Sequence, residues 1–200
     1  MWIVKLGGSL SGDALLPQWL DLLAQLGGGR VTVVCGGGRF ADEVRHAQAH
    51  WQFDDLAAHN MAVLAMAQSA YLAQSLSPQL HLASNEADIR RVLHAGHAAV
   101  WLPLELTQTQ ADAFANWDVT ADSIALQLAR QLNAERLVVV KSCPIDEGAT
   151  LDGLSRSGVL DRRFAAIAVG AAFPINIVHK SGLDAVRSLL IGVTGPMDLH

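Results

Sequence analysis

At 200 residues, with 51% hydrophobic and 16% charged side chains, the chain is long enough to bury a sizeable core and is too apolar to be disordered. A net charge of −5 argues against a general nucleic-acid binder, and no apolar run approaches the ~20 residues that a membrane span needs. Cys35 and Cys143 are too few and too isolated for a disulfide framework or a zinc site. Met1 leads into a strand pattern rather than an export signal, so the expectation is one cytoplasmic domain over residues 1–200.

Trp2, Ile3 and Val4 form a short buried strand that passes Lys5 into Gly7-Gly8-Ser9. Two residues without side chains at a strand end, with a helical pattern beyond, suit close approach of backbone N–H groups to an anion. They equally suit an ordinary strand-to-helix turn. Leu15 to Leu26 is helical and stops at Gly27-Gly28-Gly29; Val31 to Cys35 is a second strand, running into Gly36-Gly37-Gly38 and a helix over Arg39 to His50. Strand, glycine turn and helix are thus repeated, and two such turns suggest two phosphate-bearing ligands. A long helix follows from Asp54 to Ser75, with His59 near its start, where a histidine is more often packed or solvated than a ligand contact.

Leu80 to Ala83 is a strand, Glu86 to Leu93 a helix, Ala98 to Leu102 a strand ended by Pro103, and Thr107 to Asn116 a helix. Thr120 is a good N-cap for a helix through Leu132, with Asp122 in its first turn. Leu137 to Val140 is the most hydrophobic strand and delivers Lys141, Ser142 and Cys143 to a sheet edge. Pro144 to Ser157 reads as a loop or lid, Val159 to Ala171 as a helix, Ile175 to His179 as a strand, Leu183 to Leu190 as a short helix, and Gly192 to His200 as an unpatterned tail. Strands alternate with helices throughout. The expected fold is therefore α/β, a three-layer αβα sandwich around a mainly parallel sheet.

Only three of the 14 basic residues are lysines, and Lys5, Lys141 and Lys180 each follow a buried strand. In an open parallel sheet those strand ends border the ligand crevice, so the lysines read as a cationic cluster for phosphate. Solubilising lysines would sit on polar helix faces, where this chain uses Arg, Gln, Asp and His.

KLGGSL at Lys5 to Leu10, VVCGGGRFADEVR at Val33 to Arg45 and TADSIALQLARQLNAERLVVV at Thr120 to Val140, in that order, resemble the motifs of the amino acid kinase superfamily. The resemblance covers most of the chain. It implies transfer of the ATP γ-phosphoryl group, with ATP and Mg2+ as cofactors and a small-molecule phosphate acceptor as partner, in a homo-oligomer, most simply a dimer through the apolar stretch Ala57 to Leu76. By the same resemblance, Lys5 contacts the transferring group, Gly7, Gly8 and Ser9 bind the ATP phosphates, and Asp122 holds the lysines. The acceptor falls to Gly36, Gly37, Gly38 and Arg39, with His59 as an added contact. A bulky residue at Gly37 is then expected to weaken acceptor binding and spare ATP.

Where most of the family has a Thr-Asp pair and a D-G-V sequence, this chain has Lys141 to Gly148, KSCPIDEG, and its C-terminal part is shorter. The second catalytic lysine is accordingly Lys141 or, failing that, Lys180. The lysine at 141 and AAHNMAVLAM at Ala57 to Met66 most resemble the branch that phosphorylates [5-(aminomethyl)furan-3-yl]methyl phosphate in methanofuran-type cofactor biosynthesis. Acceptors such as a nucleoside monophosphate, isopentenyl phosphate or an amino acid carboxylate stay open, as does a non-catalytic nucleotide- or oxyanion-binding subunit.

Overall fold

A computed structural model of the chain describes residues 1–110, 112, 115–146 and 148–192. Its six-stranded sheet comprises β1 (Trp2–Leu6), β2 (Val31–Cys35), β3 (Leu80–Ala83), β4 (Ala98–Trp101), β5 (Arg136–Lys141) and β6 (Ile175–His179). Every pairing is parallel, in the order β3-β4-β2-β1-β5-β6. The helices are α1 (Leu16–Leu26), α2 (Gly38–Trp51), α3 (Asp55–Leu76), α4 (Glu86–His94), α5 (Ala121–Gln131), α6 (Leu151–Arg156), α7 (Phe164–Ala168) and α8 (Leu183–Leu190). No helix among the described residues is long and apolar enough to cross a membrane.

The central strands are apolar on both sides because both sides are covered. Val4, Leu6, Val33, Val138 and Val140 pack with Trp19, Leu20 and Leu23 of α1, Ala67 and Ala70 of α3, and Val186 of α8. Ile3, Val34, Leu137, Val139 and Ile175 pack with Ile89 of α4, Ile124 and Leu128 of α5, and Phe164 of α7. The expected three layers are present. Connections that step toward the β3 edge carry α1 and α3 on the first face; those that step toward β6 carry α4, α5 and α7 on the second. This pairing of direction with face is what a single crossover hand produces. It leaves β1 and β5 adjacent with their connections running opposite ways, so a crevice opens beyond their C-terminal ends.

Four expected elements differ. The segment after Gly7-Gly8, where a helical pattern is expected to begin, is a short 3-10 helix, Gly8–Gly12, while the helix expected over Leu15 to Leu26 is present as α1 with Pro17 in its first turn. The described residues of Thr107 to Asn116 are irregular, the remainder lying outside the described residues. There the Asn60 side chain donates to Gln108 O at 2.9 Å and accepts from Gln108 N at 2.8 Å, taking backbone groups that a helix would use. Pro144 to Ser157 is not all loop: Thr150 caps Gly153 N at 3.1 Å, and α6 carries an Arg156–Asp152 pair at 2.6 Å. The helix expected over Val159 to Ala171 shrinks to α7, because Asp161 turns its carboxylate toward α5 and Gly170, at φ +72°, ends the run. In the tail, residues 193–200 lie outside the described residues.

The apolar excess of α3 is partly spent on a second neighbour. One side faces the sheet and another packs on α2, which leaves Met61, Leu64 and Tyr71 exposed along a narrow stripe.

Candidate active site

Parity along the strands decides which lysines meet. Lys5 stands beside Val139 and Lys141 lies two residues further along β5, so both side chains leave the sheet on the face covered by α5. Thr120, extended at φ −120°, caps α5 as expected, and Asp122 falls in the first turn. Lys5 Nζ donates to Asp122 Oδ1 at 2.6 Å, and Lys141 Nζ donates to Oδ2 at 2.8 Å. Lys5 is 4% and Asp122 3% exposed. One carboxylate between two ammonium groups leaves a unit of positive charge in a poorly solvated place, which suits an anion.

Burial pulls the Lys5 ammonium below its ordinary value of 10.5, against the attraction of Asp122. Burial acts on Asp122 in the opposite sense, but Lys5 and Lys141 together hold it below its ordinary 3.8. Two pH effects follow. The proton leaves Lys5 earlier than from a free lysine, so kcat/KM of the free enzyme is expected to fall on the alkaline side at a pH below 10.5. Asp122→Asn removes the attraction that opposes this, and its residual activity should fall at a still lower pH, as a pH–rate series would show. For stability the sign differs. In that alkaline window the unfolded chain binds more protons at this residue, so stability rises with pH there; Asp122 stabilises above 3.8 and ceases to as pH falls through its lowered value.

Lys180 is not part of this group. His179 is the residue that pairs with Lys141, so Lys180 turns to the opposite face, where its Nζ donates to Asp13 Oδ2 at 2.5 Å and its carbonyl accepts from Trp19 Nε1 at 2.8 Å. Of the two candidates for second lysine, Lys141 has the position. Lys141→Met is accordingly expected to lower kcat at least tenfold more than Lys180→Met, measured on purified, folded variants.

The two glycine turns touch. A Cβ on Gly8 would lie 2.5 Å from Gly38 N, one on Gly36 would lie 2.6 Å from Gly8 N, and Gly38 itself sits at φ +54°. Close backbone contact therefore demands glycine at these positions, before any ligand is considered. Gly7 N–H donates to Val140 O at 3.0 Å and Gly36 N–H to Leu6 O at 2.9 Å, so both extend the sheet. The N–H groups of Gly8 and Ser9, and of Gly38 and Arg39, open their helical turns and have no carbonyl within them to donate to. Ser9 Oγ shares a 2.5 Å hydrogen bond with Ser142 Oγ, which joins the first turn to the end of β5.

Over this floor lies a cavity of about 280 Å³. Lys5, Asp122 and Lys141 line it together with Gly8, Ser9 and Gly36 to Gly38. Ala58, Ala62, Val63 and Met66 of α3 and Val119 make an apolar wall. His59 lines the cavity and shares a 3.1 Å hydrogen bond with Leu106 O. Arg39 is exposed, with its guanidinium beside Gly12, so only its backbone faces the turn. The Gly37 Cβ direction runs into Ala41 at 2.6 Å and Ala65 at 3.3 Å. A bulky residue there strains α2 against α3 instead of closing one side of the crevice only.

Sequence reasoning did not single out the rim. Arg45 lies 4.3 Å over the Trp117 ring and pairs with Asp42 at 2.9 Å, while Trp117 Nε1 donates to Gln48 Oε1 at 2.6 Å. Arg45 ends the second glycine motif and Trp117 lies just before Thr120, but their contact spans residues far apart in the chain.

A parallel αβα sheet with paired lysines on one carboxylate beside two glycine turns defines a class, the anion-handling α/β proteins whose ligands sit at a switch point. The amino acid kinase family model matches residues 1–144. The chain belongs to the amino acid kinase family. A curated relative, the [5-(aminomethyl)furan-3-yl]methyl phosphate kinase of Methanocaldococcus jannaschii, is 25% identical over 140 residues, which are 70% of this chain and 64% of the relative. The chain thus spans less than two-thirds of that relative's length. Among solved structures, uridylate kinase from Archaeoglobus fulgidus superposes with a TM-score of 0.70 at 16% identity, covering 96% of this chain and 95% of that one. UMP kinase from Ureaplasma parvum gives 0.70 at 12% identity, covering 96% and 95%. These two likenesses establish the fold.

Proposed function

We propose that the protein is an ATP-dependent kinase that converts a small phosphate monoester to a diphosphate. The observation that carries this reading is the Lys5–Asp122–Lys141 group, with Lys5 and Asp122 buried, lining a cavity beside two touching glycine turns. An acceptor phosphate oxygen attacks the γ-phosphorus, the new P–O bond forms as the β–γ bridging P–O bond breaks, and ADP leaves. A monoester dianion needs no general base. The protein has to align two anions and neutralise the charge that spreads over the transferring group. Lys5 and Lys141 supply that charge, and Asp122 keeps them oriented. The N–H groups of Gly8 and Ser9 hold the donor phosphates; those of Gly38 and Arg39, with His59 at the wall, face the acceptor.

The donor set also suits magnesium that arrives on the nucleotide. Both Asp122 oxygens are taken by lysines, and among the described residues no three His, Cys, Asp or Glu side chains are grouped to hold a metal. The nucleotide phosphates would therefore hold the Mg2+, whose contribution is to screen their charge.

For the acceptor, the apolar wall of Ala58, Ala62, Val63 and Met66 suits a compact, weakly polar body behind a phosphate, and the named relative points to [5-(aminomethyl)furan-3-yl]methyl phosphate. A coupled assay of ATP consumption over that compound, UMP, isopentenyl phosphate and glutamate tests the reading. Turnover confined to the furan phosphate supports it; ATP binding with no turnover on any acceptor replaces it with a binding subunit. The same reading places the protein in the cytoplasm as a two-fold dimer through the Met61, Leu64 and Tyr71 stripe of α3. Light scattering at micromolar concentration should give twice the monomer mass of 21.3 kDa.

A further inference from the structure

Asp122 must reach both lysines at once, so the position of the α5 N-terminus sets the geometry of the group. Its own cap holds it loosely: Asp122 N donates to Thr120 Oγ1 at 3.5 Å. The Thr120 hydroxyl is drawn elsewhere, donating at 3.0 Å to Oδ2 of Asp161, a residue of the β5–β6 connection. The same oxygen accepts from Thr120 N at 2.9 Å and Ser123 N at 2.9 Å, while Asp161 Oδ1 accepts from Ser123 Oγ at 2.6 Å. Ser123 is fully buried. One carboxylate thus satisfies two backbone and two hydroxyl donors of the first turn, a helix cap supplied from a distant part of the chain. Its neighbours clasp the same place: Arg163 N donates to Asp118 O at 3.3 Å and Arg162 pairs with Asp118 at 3.2 Å.

We propose that Asp161 is a positioning residue for phosphoryl transfer, fixing α5 so that the Asp122 carboxylate is held between Lys5 and Lys141. The proposal rests on the kinase reading above. It also makes a claim about Lys5 that needs no turnover. The groups that act electrostatically on Lys5 are Asp122, Lys141 and Asp161, with buried Cys35 in turn under the influence of Lys5. Asp161 is among the charges that favour the ammonium form of Lys5, alongside its mechanical hold on α5.

The test is Asp161→Asn, with Ser123→Ala as a milder second variant that leaves the Asp161 charge in place. Because the chain has only three lysines, their side-chain amines can be titrated one by one by NMR on lysine-labelled protein. In Asp161→Asn the Lys5 amine should lose its proton at lower pH and Lys180 should be unmoved; kcat should fall about 10–100-fold, with KM for ATP and acceptor within about threefold. Ser123→Ala should show a smaller loss of kcat with the same unchanged KM. A folded Asp161→Asn with wild-type kcat and an unmoved Lys5 titration overturns the proposal, as does a loss of activity that only tracks the folded fraction. If Asp161→Asn does not fold, Ser123→Ala decides: unchanged kcat in that folded variant overturns the proposal. If the wild type turns over no acceptor, the kinase reading fails, and the shift of the Lys5 titration in Asp161→Asn still decides whether Asp161 acts on the lysine group.

Discussion

Replacing Lys5 with methionine is expected to lower kcat about a thousandfold or more while the protein stays folded. Lys5 leaves β1 at the crevice end of the central sheet, its ammonium is engaged by Asp122, and on the proposed reading it neutralises charge on the transferring group. Methionine matches the length and volume of the stem that is buried beside the sheet, so little packing is lost. Asp122 keeps Lys141 at 2.8 Å and is not left as an isolated buried charge, the situation that makes removal of one partner so costly elsewhere. Circular dichroism and thermal melting should show a fold within roughly 5 °C of the wild type, given how few kcal/mol are at stake. A folded variant with near-normal turnover would remove Lys5 from the mechanism.

Gly8→Ala is expected to have the largest effect on stability, at least about 3 kcal/mol, for a change of one methyl group. The added Cβ would lie 2.5 Å from Gly38 N and 2.8 Å from Gly38 Cα. Those atoms are main chain at the start of α2 and cannot rotate away like the end of a side chain. Relief requires the two turns to part, which pulls on Gly36 N–H···O Leu6 and on the α2–α3 packing behind. A fall in Tm of roughly 10 °C is the corresponding signature for a chain of this size. A wild-type Tm in Gly8→Ala would show that the turns do not pack as described.

How much of this was legible from the sequence depends on whether a feature is written along a strand or across the chain. All six strands fall on short, mostly apolar segments, four to six residues long, and the αβα architecture follows from their alternation with helices. Lys5, Asp122 and Lys141 were legible because each is placed by its own local element: two strand ends and the first turn of a capped helix. Lys180 looked equivalent because it too follows a strand, but one residue of register turns it to the other face, a distinction that appears only once His179 is seen beside Lys141. Asp161 was hidden for the same reason that the helix expected over Val159 to Ala171 is short: its carboxylate caps a helix far upstream instead of its own. The 3-10 turn at Gly8–Gly12 was missed because Pro17 suits the first turn of α1 and gives no sign that the segment before it coils more tightly.

The contact between the glycine turns has a bearing on how such a protein can change its substrate. Gly8, Gly36 and Gly38 meet main chain to main chain, so the gap between the two turns is a ruler made of backbone thickness, with no side chain in it to lengthen or shorten. The apolar wall is different in kind: Ala58, Ala62, Val63 and Met66 are side chains on one helix, so its shape is set by side-chain size, and Ala62 is the least buried of the four. On the kinase reading proposed above, a lineage built on this plan would trade one acceptor for another by altering α3, while the distance across which a phosphoryl group must pass would be inherited unchanged.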